Sequence, residues 1–135
     1  MESHTAMAAE VAPGRFFFGR LRQTADLLES VEAFCSRKRI RAALFSATGT
    51  VLSATFGVFD PSQQVYAVRV EHRPLEIVSC RGSVLPGNDR PRAVARIVFG
   101  DGQAALCGGR LFSETRADVV EFDVRELVGP LPSRR

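Results

Sequence analysis

The feature that most constrains this chain is a change of period near Ala42. One stretch before it has helical spacing. From there to Val128 the sequence is a series of β-branched and aromatic runs broken by turn signals. "AALFSATGTVLSATFGVFD" comes first, with glycines at 49 and 57. Gly49 marks a turn or a bulge, where backbone without a Cβ bends easily. "DPSQQ" has turn chemistry, with proline after aspartate and polar residues closing it. "VYAVRV" alternates with period two, and "HRPLEIVSCRGSVL" is a further strand, with Pro74 near its start where a missing N–H is tolerated. "PGNDRPR" reads as a loop. "AVARIVFG" and "AALCGGRLF" form a hairpin around "GDGQ". "ADVVEFDVREL" closes the series, and Val119, Phe122 and Val124 are expected to reach the core.

Upstream, "RFFFGRL" (15–21) is a short aromatic strand broken by Gly19, and its three phenylalanines are expected in a core. In "TADLLESVEAFCSRKRIRA", Leu27, Leu28, Val31, Phe34 and Cys35 fall on one helical stripe. Thr24 is the expected N-cap. Asp26 and Glu29 lie near the positive end of the helix dipole, and Arg37, Lys38 and Arg39 near the negative end. The order of one strand, one helix and then several strands in hairpins predicts an α+β fold. It is a single compact domain with a largely antiparallel or mixed sheet and one main helix. The expected boundaries are a mobile tail over 1–14, the domain over 15–128, and a mobile basic tail over 129–135.

A chain of 135 residues with 45% apolar content builds its own core without disulfides or metal. No apolar run is long enough to cross a bilayer, and the N-terminus lacks the pattern of a secretory signal, so a cytoplasmic location is expected. Cys35, Cys80 and Cys107 stand far apart, without zinc-ligand spacing, and read as small buried hydrophobes. Of 18 basic residues 17 are arginine, and the net charge is only +3. That is a weak electrostatic signal for nucleic acid. Walker loops, dinucleotide fingerprints and nucleophile elbows are absent from the sequence.

The order of "SATGTVLSATF", "RPLEIVSCRGSV" and a strand–turn–strand ending in "GGRL" resembles the plant and prokaryote conserved (PPC) domain, over about residues 15 to 127. In plants this domain sits beside AT-hook motifs in nuclear proteins, and in bacteria it usually stands alone. The resemblance implies a compact, largely antiparallel α+β domain, a homotrimer, and no enzymatic activity established for the family as a class. Many prokaryotic members carry a His-x-His pair before the turn and a Gly-Gly-His after it, which together look like a metal site. Here the first becomes Val94-Ala95-Arg96 and the second Gly108-Gly109-Arg110. Valine does not ligate, and arginine stays protonated and only donates. The metal site is therefore expected to be absent, and no cofactor is expected.

The paired glycines suit a place where backbone closely approaches backbone or a ligand. Two readings of the arginines stay open. Arg96 and Arg110, with Gly108 and Gly109, form a site for a small anion such as phosphate or carboxylate. Alternatively, Arg96 and Arg110 pair with Asp101, Glu114 or Glu121, within one chain or across a trimer. His72 reads as a surface or interface histidine. Ser46, Thr48 and Thr50 flank Gly49 in an expected loop, where they either line a pocket or serve turn chemistry. DNA contact, without an AT-hook, would be a weak and salt-dependent one through Arg37, Lys38, Arg39 and Arg41. The functional expectation is a non-enzymatic, homotrimeric, DNA-associated or regulatory domain. The alternative is an enzyme acting on a small acidic metabolite in an inter-subunit pocket.

Overall fold

The computed structural model describes residues 6–131. Its elements run β1 (Ala12–Arg20), α1 (Leu27–Arg37), β2 (Ala43–Asp60), β3 (Val65–Glu71), β4 (Leu75–Pro86), β5 (Pro91–Gly100), β6 (Leu106–Leu111) and β7 (Arg116–Val128). All seven strands join one sheet, and every pairing is antiparallel. Its order is β1-β7-β2-β4-β5-β6, with β3 paired to β2.

The long strand β2 organises this sheet. Its first half lies between β7 and β4, and its second half between β3 and β6. Phe56 stands opposite Leu111 and Gly57 opposite Arg110, which closes β2, β4, β5 and β6 into a ring. Phe56 and Phe99 meet at 5.8 Å in a core that also buries Ile97 and Leu111. Helix α1 buries Leu27, Val31 and Cys35 completely, and Phe34 meets Phe17 and Phe122 edge-on at 5.1 and 5.5 Å. Burying a side chain such as Leu27 or Val31 contributes about 1.5–3 kcal/mol.

Several local expectations change. The N-cap is Asp26, whose Oδ1 accepts from the Glu29 N–H at 2.9 Å and whose other oxygen accepts from the Glu114 N–H. Thr24 instead adopts a φ of 72°. Phe17 faces the core, but Phe16 and Phe18 are 68% and 73% exposed, because consecutive side chains of a strand leave on opposite faces. Val119 is 52% exposed. Thr50 stands opposite Val119 but Val51 opposite Ala117, so a bulge shifts the phase and the inward set is Ala117, Val120, Phe122 and Val124.

Gly49 does mark a bulge, inside β2, with φ of 125°. A Cβ there would lie 1.9 Å from the Val119 carbonyl oxygen. Ser46, Thr48 and Thr50 therefore belong to a strand rather than a loop. Ser46 Oγ donates to Asp123 at 2.7 Å and Thr50 Oγ1 to Asp118 at 3.1 Å. Strand β1 opens at Ala12, inside the segment expected as a tail, because Ala12 and Pro13 pair with Val128 and Leu127. The first five and last four residues lie outside the described residues. Cys35 and Cys80 are buried and Cys107 half-buried, all as free thiols. Among the described residues, no helix is long and apolar enough to cross a membrane.

Candidate functional site

Strand alternation aims Arg96 outward, because Ala95 and Ile97 on either side point into the core. Arg110 leaves the same face of the sheet, since the register of β5 and β6 sets it directly opposite Arg96. The ring closure then brings in β2 and β3. Gly57 stands opposite Arg110 on one side and Val68 on the other, which carries Tyr66 to the arginine pair. Arg96 Nη2 donates to Tyr66 Oη at 3.3 Å. The Arg110 guanidinium lies 5.5 Å from the Tyr66 ring centre and 5.9 Å from that of Phe112, within cation–π range. These groups surround an open hollow of about 390 Å³ lined by Gly57, Phe59, Tyr66, Arg96, Gly109 and Arg110.

Crowding explains the paired glycines. A Cβ on Gly108 would lie 2.0 Å from the Ile97 carbonyl oxygen, and one on Gly109 would lie 2.1 Å from that of Gly57. Both contacts are with backbone, so no side-chain movement relieves them. Gly57 is small for a related reason: a Cβ there would come within 2.6 Å of the Phe112 ring. Gly109 lines the hollow; Gly108 does not.

The acids considered as partners are engaged elsewhere. Asp101 lies 3.8 Å from Arg73, Glu114 2.8 Å from Arg116, and Glu121 3.2 Å from Arg20. Among the described residues, neither Arg96 nor Arg110 has a carboxylate at ion-pair distance within the chain. Sequence reading overlooked two members of this neighbourhood, Tyr66 and Arg81. Arg81 stands opposite Arg96 on β4. Its outward direction was available from the inward Cys80 beside it, but its neighbour depends on the β4–β5 register.

Val94 lies two residues before Arg96, so it shares that strand face. The positions where the resemblance puts imidazoles therefore converge, but the residues present do not fit a divalent cation. They offer an aliphatic side chain and two permanent cations, with no lone pair to donate. The described residues contain no cluster of three or more metal-ligating side chains. His72 is exposed, as are Arg37, Lys38, Arg39 and Arg41. Lys38 Nζ lies 5.6 Å from the Phe17 ring centre, and its carbonyl accepts from Arg15 at 2.8 Å. Both contacts belong to the α1–β1 corner, away from the arginine pair.

A model of the Plants and Prokaryotes Conserved (PCC) domain matches residues 8–128. A metal-containing protein from Archaeoglobus fulgidus shares 32% identity, covers 96% of this chain and 91% of its own, and superposes with a TM-score of 0.90. A plant- and prokaryote-conserved (PPC) protein from Pyrococcus horikoshii shares 24% identity over 93% of this chain and 87% of its own, with a TM-score of 0.86. A protein from Ralstonia eutropha, provisionally designated DNA-binding, shares the fold at 22% identity and a TM-score of 0.71, covering 82% of this chain and 76% of its own. Among curated proteins, none matches the chain. A match over nearly the whole described chain, together with a relative above 30% identity, places the chain in the plant and prokaryote conserved domain family.

Proposed function

We propose that this chain is a non-enzymatic, self-associating domain that works as a homotrimer in DNA-associated regulation and holds a small anion between Arg96 and Arg110. The observation that carries the anion reading is the direct opposition of two arginines that have no carboxylate at ion-pair distance among the described residues and converge on one tyrosine. Two guanidiniums facing one hollow offer forked donors to phosphate or carboxylate oxygens. The same charge disfavours the metal that the Archaeoglobus relative contains.

The exposed apolar side chains of Val68 and Val70, on one face of β3, support self-association. A closed three-fold ring would cover such a patch with identical contacts. The DNA-associated role leans on the designation of the Ralstonia relative and on the modest positive charge. The enzymatic alternative needs a proton-holding carboxyl beside the arginines. Among the described residues, the carboxyls displaced from their ordinary range, Asp60, Glu71, Asp101 and Glu126, all move down.

Thermal-shift titration of the full chain with inorganic phosphate, zinc and nickel tests the site. Stabilisation by phosphate and none by either metal is expected; stabilisation by a metal alone refutes it. Light scattering at micromolar concentration is expected to give three protomers per particle, and a monomer there removes the trimer.

A further inference from the structure

The two-arginine pair is part of a longer row. In the register, Arg81 on β4 stands opposite Arg96 on β5, which stands opposite Arg110 on β6. Paired residues of adjacent strands share a face, so three arginine side chains leave one face of three consecutive strands. Adjacent strands are about 4.8 Å apart, so the row spans roughly 10 Å from Arg81 to Arg110. Like charges set directly opposite one another destabilise a sheet. Here the opposition occurs twice in succession, and none of the three has a carboxylate at ion-pair distance among the described residues.

Arg96 also divides two hollows. On one side is the aromatic hollow of Tyr66 and Phe59. On the other is a hollow of about 280 Å³, where Arg81, Arg96 and Arg125 meet beside Leu44, Ser83 and Val94. Arg125 comes from β7, where it stands opposite Leu44. The nearest acid along the arginine row is Asp123, one position past Ser46. Its Oδ1 accepts both the backbone N–H and the hydroxyl of Ser46, at 3.0 and 2.7 Å. It is committed there and forms no bridge to Arg81.

We infer that these hollows form one track, and that its ligand is a chain of linked phosphates lying across Arg110, Arg96 and Arg81. The inference rests on the anion reading of the Arg96–Arg110 pair and extends it to a specific chemical class. A single small anion would satisfy one end of the row and leave Arg81 opposed to a like charge. A linear phosphoanhydride carries negative oxygens at every unit, so successive units meet successive guanidiniums in forked contacts. The chain is either a free polyphosphate or the tail of a nucleoside triphosphate, whose base would lie against Phe59 and Tyr66 at the Arg110 end.

Calorimetric titration at fixed ionic strength compares orthophosphate, tripolyphosphate and a nucleoside triphosphate on the full chain and on Arg81→Gln. Tripolyphosphate is expected to bind at least about tenfold more tightly than orthophosphate, the scale of one added charge-assisted contact. Arg81→Gln is expected to erase that advantage while leaving orthophosphate affinity within about twofold. The same variant is expected to melt at a higher temperature than the parent without ligand, because a like-charge opposition is gone. A merely structural role for Arg81 gives the opposite sign.

A nucleoside triphosphate that matches or exceeds tripolyphosphate identifies the nucleotide tail as the source; a weaker one identifies the free chain. If orthophosphate binds but tripolyphosphate gains nothing, or the gain survives Arg81→Gln, the track is refuted and the two-arginine site stands. If neither anion binds, both fall. A single-stranded oligonucleotide that binds more tightly than tripolyphosphate, with loss in Arg81→Gln, replaces the phosphate chain by nucleic acid.

Discussion

The two ends of the sheet treat arginine in opposite ways. Where β1 meets β7, Arg15 gives Nε and Nη2 to the two oxygens of Glu126 at 2.9 and 3.1 Å, and its backbone N–H to the same carboxylate at 2.9 Å. Where β5 meets β6, the residue facing an arginine is another arginine. Charge helps to hold the first junction. The second is held despite its charge, by the backbone ladder and by Ile97, Phe99 and Leu111 in the core. Where its ring closes, the sheet therefore carries a like-charge repulsion in place of an ion pair.

If the closure depends on crowded backbone, the largest effect comes from filling it. Gly109→Val places a branched side chain where a Cβ alone would be 2.1 Å from the Gly57 carbonyl oxygen. The β2–β6 pairing must then separate. A loss of about 3 kcal/mol or more is expected in urea denaturation, at or beyond the upper range for overpacked sites. Stability near that of the parent would mean that β6 does not need this closure.

The charged junction is sharpened by pH. Hydrogen bonds from the Arg15 side chain, and then from its backbone, hold the Glu126 carboxyl below the usual glutamate range against an opposing effect of burial. A carboxyl whose pKa is lower folded than unfolded adds stability above its unfolded value, near pH 4, and loses it as pH falls through the folded value. Glu126→Gln is therefore expected to be less stable than the parent at pH 7. The gap should close below about pH 4, as the carboxylate takes up its proton. Paired denaturation curves across that range isolate Glu126, because the depressed carboxyls of Asp60, Glu71 and Asp101 are common to both proteins. A gap independent of pH would show that the junction is held by shape rather than charge.

These contrasts also mark what the sequence could reveal. The strand runs, the single helix and the β5–β6 hairpin follow from periods and turn residues, which are local. Composition alone places Phe16, Phe18 and Val119 in the core; strand alternation exposes the two phenylalanines, and a bulge in β7 that leaves little local trace exposes Val119. Asp26, with Glu29 three residues on, carries a cap signature in the sequence as strong as that of Thr24. The ring closure joins Phe56 to Leu111 across distant sequence, so no window of the chain contains it. Arg96 and Arg110 became visible only because a family resemblance marked their positions. Tyr66 and Arg81 needed the registers of β2–β3 and β4–β5, and a slip of one residue would have turned either to the other face.

The smallest expected effect is the most direct comparison of the two ends. Arg20 pairs with Glu121 across β1 and β7 at 3.2 Å, with both side chains substantially exposed. Such a pair contributes little, so Arg20→Gln should lower stability by no more than about 0.5 kcal/mol. Arg96→Gln removes a charge that faces Arg81 on one strand and Arg110 on the other, and gives up a long hydrogen bond to Tyr66. Relief of two like-charge contacts should outweigh that bond, raising stability by a few tenths of a kcal/mol in the absence of anions. The two variants remove the same charge from the same sheet, so a difference in sign reports surroundings and not net charge. Added salt should shrink the Arg96→Gln gain, because it screens the repulsion being removed. If both variants lose stability alike, the closure is not strained by its arginines, and the contrast between the two junctions fails.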